Sequence, residues 1–128
     1  MIVVDSSALI AIAMGEPTAD SCKQVLADEG QIVMSAATLV ETLIVAMRRN
    51  LHAELAALVV DIGAEIEPLT PERARNVAAA YGAWGKGRHP ASLNFGDCFA
   101  YALAKEFGCP LLFVGADFSQ TDITSALG

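Results

Sequence analysis

Four short strand-like runs, Ile2 to Val4, Ile32 to Met34, Ile66 to Leu69 and Leu111 to Val114, alternate with segments whose apolar residues recur at helical spacing. Strands that alternate with helices in this way can bury themselves only as a parallel sheet covered on both faces. The segments between them carry helix signals. Ser6 or Ser7 is placed to cap a helix over Ala8 to Met14, and Pro17 with Thr18 opens a second that ends near Gly30. Ser35 caps a long helix whose stripe of Val40, Leu43, Ile44 and Met47 is expected to face the core. A helix, turn and helix then run to Gly63. Thr70 and Pro71 start another that reaches about Trp84, a further helix begins within Leu93 to Ala104 and stops at Gly108, and Ile123 begins a short last strand. No repeat, low-complexity segment or linker divides the 128 residues, so residues 1–128 are expected to form one α/β domain, long enough to bury a core without a disulfide or structural zinc.

Four stretches of this chain contain a single charged residue, and in each it is an acid. Asp5 stands alone in residues 1–15, Glu41 in 30–47, Asp97 in 93–104 and Asp117 in 107–121. At 18% charged residues, stretches of that length would ordinarily hold charges of both signs. Helix capping accounts for one such acid at a helix start, where the dipole favours it, but not for four. A carboxylate in apolar surroundings is costly unless paired or bound to a metal, and no Lys or Arg lies within these stretches. Ligands in parallel sheets bind beyond the carboxyl ends of the strands. Asp5 ends its strand, Asp117 lies just past another, Asp97 opens a helix, and Glu41 lies about two turns into a helix leaving the same edge. All four can converge there, and hard oxygen donors of this kind suit Mg2+ or Mn2+.

The formal charge of −7 would ordinarily speak against a nucleic-acid partner, yet two divalent cations would offset more than half of it. The most suggestive cationic group is Lys86, Arg88 and His89, in the Gly-rich loop from Gly82 to Pro90 just before the Asp97 helix, where it could touch a substrate backbone. Cys22, Cys98 and Cys109 are odd in number and lack C-x-x-C spacing, which argues for core thiols over a disulfide framework or zinc site. The uncharged runs stop short of a membrane span. Met1 leads straight into a strand without a basic n-region or small-residue cleavage site, so no membrane partner and a cytoplasmic location are the expectation.

Convergent carboxylates without a neighbouring nucleophile point to metal-assisted chemistry, and a phosphodiester is the matching substrate class, since paired metals can activate water and stabilise the leaving oxygen of an in-line displacement. Asp5-Ser6-Ser7-Ala8-Leu9, the Glu41 helix, Asn94-Phe95-Gly96-Asp97-Cys98 with Tyr101, and Gly115-Ala116-Asp117-Phe118 with Thr121-Asp122-Ile123 together resemble the PIN-domain ribonucleases, specifically the VapC-type toxins of toxin–antitoxin pairs. The resemblance spans the chain, and the order of its motifs makes it specific. It implies a PIN-like three-layer α/β/α sandwich with a mostly parallel central sheet. It also implies Mg2+- or Mn2+-dependent endoribonuclease activity on tRNA or ribosomal RNA, a homodimer, and a cognate antitoxin that occludes the acidic pocket.

By this reading Asp5, Glu41, Asp97 and Asp117 are catalytic metal ligands, Asp122 is a further candidate ligand, and Ser7 orients a carboxylate or a bound water. Lys86, Arg88 and His89 are candidate substrate contacts. Leu9, Ile12, Leu39 and Leu43 are expected to line a groove for an apolar antitoxin segment beside the pocket, which an antitoxin Arg could enter. The chain departs from the family pattern at Ala116, where Asn or Asp is usual, which removes a polar neighbour of Asp117. A response-regulator receiver would need an acid pair after its first strand and a late Lys, and none lies beyond Lys105. A haloacid-dehalogenase-type phosphatase needs a second Asp where Ser7 stands. The alternative from another class is a catalytically silent PIN-like module that binds RNA or protein.

Overall fold

The computed structural model describes residues 1–128. In chain order the elements are β1 (Ile2–Val4), α1 (Ser6–Ala13), α2 (Ala19–Asp28), β2 (Ile32–Ser35), α3 (Ala36–Arg48), α4 (His52–Asp61), β3 (Glu65–Glu67), α5 (Pro71–Trp84), α6 (Phe95–Phe107) and β4 (Leu111–Leu112). The four strands pair in parallel in the order β3-β2-β1-β4, with Val3 opposite both Val33 and Leu111. Period-two alternation decides what each face receives. Ile2, Val4, Ile32, Met34 and Leu112 point to a layer built from α1, α2 and α4, where they meet Leu9, Cys22, Leu26 and Leu55. Val3, Val33 and Leu111 point the other way, onto Ala80 of α5 and Cys98, Tyr101 and Leu103 of α6. The result is the three-layer α/β/α sandwich. Each fully buried Leu, Ile or Val is worth about 2 kcal/mol relative to exposure. Strands of two to four residues are therefore held mainly by their two covered faces, with the short ladders fixing register.

Several boundaries differ from expectation. β3 starts at Glu65 and ends at Glu67, because Pro68 has no N–H to continue a ladder. β4 stops at Leu112, and the strand expected at Ile123 reduces to one bridge between Leu111 and Ser125. The α1 cap is Asp5, not Ser6 or Ser7. The largest correction concerns α3. Its buried residues are Thr38, Thr42 and Ala46, a stripe of small side chains at i, i+4 and i+8. Val40, Ile44 and Met47 are 57%, 46% and 61% exposed, and Leu43 is half-buried. α3 packs against α1, α4 and α6 at once, and small residues permit that close approach. The Thr42 hydroxyl is absorbed locally by donating to the Thr38 carbonyl at 2.9 Å.

Candidate active site

Asp5 follows directly from β1, at the carboxyl end of a central strand, and its N–H reaches the Leu112 carbonyl at 2.9 Å. As N-cap of α1, its Oδ2 accepts from the Ser7 N–H at 3.1 Å and from the Ser7 hydroxyl at 2.6 Å. The same Ser7 oxygen accepts from the Val114 N–H at 3.0 Å, so one hydroxyl ties Asp5 to the chain leaving β4. The other Asp5 oxygen, Oδ1, is buried without a hydrogen-bond partner. Burial raises the Asp5 carboxyl from 3.8 to about 6 against the pull of the Ser7 bonds, and Glu41 adds to the rise.

Asp97 is fixed by a reciprocal cap at the start of α6. Its N–H donates to Asn94 Oδ1 at 2.9 Å, and its Oδ2 accepts from the Asn94 N–H at 3.0 Å. Asp97 is 7% exposed. Burial is the largest cause of its rise from 3.8 to about 7; the Asn94 bond opposes it, and Asp5, Asp117 and Glu41 reinforce it. Asp97 thus lies within electrostatic reach of the other three lone acids, and Asp5 within reach of Glu41.

Glu41 arrives from α3. The Ser6 hydroxyl donates to its Oε1 at 2.8 Å. On the other side stands Gly96, where an added Cβ would lie 2.1 Å from Glu41 Oε2. Glu41 thus fits between a serine donor and a residue with no side chain. Asp117 is exposed, in a turn where the Ser119 N–H and hydroxyl both donate to the Ala116 carbonyl, at 3.0 and 2.6 Å. Phe118 beneath it is buried against Phe113, with ring centres 5.0 Å apart.

Other sequence candidates lie elsewhere. Asp122 is not among the charges acting on Asp5 or Asp97. Its Oδ1 accepts from the Tyr101 hydroxyl at 2.5 Å and its Oδ2 from Lys105 at 3.1 Å. Lys86 and Arg88 are exposed and form no ion pair. His89 is half-buried, packs edge-on against Trp84 with ring centres 4.7 Å apart, and accepts from the Ala91 N–H through Nδ1 at 3.0 Å. Their loop closes through hydrogen bonds between Lys86 or Trp84 and Leu93, and leads straight into the Asn94 cap. Leu9 is fully buried core, not groove lining. The open apolar groove instead encloses about 640 Å³ between α3 and the start of α6, lined by Ala37, Val40, Glu41, Ile44, Leu69 and Phe95 among others. Sequence reasoning missed the roles of Ser6, Gly96 and Asn94. Ser6 and Asn94 stood in quoted motifs, but only the fold shows what they touch.

The donor set fits a divalent cation. All of its oxygens are hard donors, and Asp5 Oδ1 is an orphaned buried acceptor, which a cation would satisfy. No three His, Cys, Asp or Glu side chains are arranged so that they could hold a metal ion by themselves, so a cation here would rest on one or two carboxylates completed by water and substrate. That suits Mg2+, which keeps several waters and uses one or two carboxylates together with substrate phosphate.

The PIN domain family model matches residues 2–123. Among curated proteins, Ribonuclease VapC42 of Mycobacterium tuberculosis is 42% identical, with 97% of this chain and 98% of the relative covered. Ribonuclease VapC of Mycolicibacterium smegmatis is 40% identical, with 96% and 98% covered. Among solved structures, the Sarcin-Ricin loop cleaving toxin VapC20 of Mycobacterium tuberculosis superposes with a TM-score of 0.77 at 20% identity, covering 97% of each chain. A toxin–antitoxin complex from Klebsiella pneumoniae contains a chain that superposes with a TM-score of 0.71 at 18% identity, covering 95% of this chain and 93% of that one.

Proposed function

The chain belongs to the PIN-domain family, and from that premise we propose that it is a VapC-type endoribonuclease toxin, a hydrolase of RNA phosphodiester bonds that depends on Mg2+ or Mn2+. The observation that carries the reading is the cluster of Asp5, Glu41, Asp97 and Asp117, two of them buried and raised in pKa, with one acceptor left unpartnered. A divalent cation held there supplies water activation and stabilisation of the leaving oxygen. The protein's own contribution is to fix the carboxylates before substrate arrives. Ser7 holds Asp5, Ser6 holds Glu41, and Asn94 holds Asp97. Lys86 and Arg88, exposed, without an ion pair and just upstream of that cap in sequence, are assigned to the RNA backbone. Single-stranded or looped RNA is the favoured substrate, because a splayed strand presents its phosphates to a recessed pocket more readily than a continuous helix does. tRNA and ribosomal RNA are the classes to examine first.

Expression of the chain alone in bacteria is expected to arrest growth. The arrest should be lifted by Asp5→Ala and by co-expression of the antitoxin encoded beside it, and 5′-end mapping after induction should reveal a discrete cleaved RNA. Arrest that persists undiminished in both Asp5→Ala and Asp97→Ala would reject the reading.

The same reading includes a second copy of the chain. Val40 and Ile44 on α3, together with Leu69 and Phe95 at 45% and 75% exposure, line one groove and so make an apolar face larger than isolated surface residues would. Sedimentation of the purified protein is expected to give a dimer, and Ile44→Asp a monomer. A monomeric wild type at micromolar concentration would refute this assembly.

A further inference from the structure

We propose that Tyr101 and Asp122 form a clamp that holds the Asp117 turn against α6, so that Asp122 is a positioning residue for the acid pocket and not one of its ligands. The inference rests on the metal-site reading above and deepens it.

Tyr101 lies one turn along α6 from Asp97. Its hydroxyl accepts from Trp84 Nε1 at 2.8 Å and donates to Asp122 Oδ1 at 2.5 Å, and Lys105, a further turn along, donates to Asp122 Oδ2 at 3.1 Å. Trp84 ends α5 and also packs against His89, so the chain of contacts begins beside the cationic loop and ends on the segment that carries Asp117. That segment needs an anchor. Between Val114 and Ile123 it makes no strand pairing; its backbone bonds are two local turns, Ser119 to Ala116 and Thr121 to Phe118, which shape the loop without attaching it to the sheet. At its near end the Ser7 hydroxyl holds Val114, and in its middle Phe118 is buried. At its far end Ile123 packs against the core and the Thr124 carbonyl accepts from the Leu111 N–H at 2.9 Å, and Asp122 is the side chain whose hydrogen bonds tie this end to α6. Because α6 carries both Asp97 and Tyr101, fixing Asp122 to Tyr101 fixes the loop to the helix that bears Asp97.

The chemistry of the pair suits a permanent clamp. Burial, followed by the bond to Asp122, pushes the Tyr101 hydroxyl up to about 12, so it remains a donor. The bond from Tyr101, followed by that from Lys105, holds Asp122 below the usual carboxylate range, so it remains an acceptor.

The test is Mn2+ affinity, followed by the paramagnetic resonance of free Mn2+, with hydrogen exchange of residues 115–119 measured in the metal-free protein. Tyr101→Phe and Asp122→Ala are each expected to weaken Mn2+ binding about ten-fold, as loss of an outer partner of a metal ligand does, and to speed exchange in the Asp117 turn. Asp122→Asn keeps an acceptor for Tyr101 and should recover most of the affinity lost in Asp122→Ala. In an Asp117→Asn background, Tyr101→Phe should cost nothing further, because residues acting through one group are not additive. The clamp is overturned if Tyr101→Phe binds Mn2+ as tightly as wild type, whatever its melting temperature. It is equally overturned if Asp122→Asn is as damaging as Asp122→Ala, or if the loss is the same with and without Asp117. Failure of the wild type itself to bind Mn2+ would remove the metal site and the clamp together, whereas tight wild-type binding with an unaffected Tyr101→Phe removes the clamp alone.

Discussion

Asp97→Asn is expected to lower RNA cleavage by more than about 100-fold, the upper end of what loss of a metal ligand's outer partner costs, while raising the melting temperature of the metal-free protein at pH 8. The two effects share one cause. Asp97 is 7% exposed and faces Asp5, Asp117 and Glu41, so its carboxyl is raised from 3.8 to about 7. Asp5 is raised to about 6 for the same first reason, burial. The folded chain therefore keeps these protons to higher pH than the unfolded chain does. Their contribution to metal-free stability is greatest below about pH 4 and declines as the pH rises through about 7. Asn at position 97 can still accept from the Asn94 N–H and so keeps the cap, yet carries no charge to desolvate. Thermal melts with EDTA should show Asp97→Asn melting several degrees above wild type at pH 8 and level with it near pH 4. Added Mg2+ should raise the wild type and leave the variant nearly unmoved, since only a ligand that binds the native state stabilises it. Equal Mg2+ shifts in both proteins would contradict a metal site at Asp97.

Gly96→Ala should produce a smaller but still large catalytic loss from a single methyl group. An ideal Cβ at position 96 would lie 2.1 Å from Glu41 Oε2 and 2.8 Å from its carboxyl carbon, distances that real atoms do not share. The obstruction is the end of a flexible side chain, so the fold can yield by swinging Glu41 away. In doing so it breaks the 2.8 Å bond from Ser6 and removes one carboxylate from the pocket. Position 96 is in the first turn of α6 with ordinary helical backbone, where Ala is favoured over Gly by up to about 1 kcal/mol. The variant should therefore fold at least as well as wild type while cleaving RNA about 10- to 100-fold more slowly, in line with Glu41→Gln. A Gly96→Ala protein that cleaves at the wild-type rate would show that Glu41 is dispensable or that α6 shifts to accommodate the methyl.

Much of the frame was readable in the chain because its signals are local. The β-branched runs, the Ser35 and Thr70 caps, and the lone acids at strand ends and helix starts each depend on a few neighbouring residues. What escaped depends on partners distant in sequence. α3 carries two stripes, and periodicity favours the larger apolar residues Val40, Ile44 and Met47. The fold buries Thr38, Thr42 and Ala46 because three helices approach them closely. The Ser6–Glu41 bond spans 35 positions, and nothing at either residue announces it. Gly96 reads as an ordinary helix-start glycine until Glu41 is placed beside it. Asp122 has the same local pattern as a ligand, and its assignment to Tyr101 and Lys105 emerges only when α6 is laid against the C-terminal segment.

The most direct test is the cleavage rate of a single-stranded RNA by the purified protein, measured before EDTA, after EDTA, and after Mg2+ or Mn2+ is returned, with Asp97→Asn in parallel. The pocket of Asp5, Glu41, Asp97 and Asp117 requires cleavage that is lost on chelation, restored by metal, and nearly absent from Asp97→Asn throughout. Cleavage indifferent to EDTA, or equal in wild type and Asp97→Asn, would contradict it.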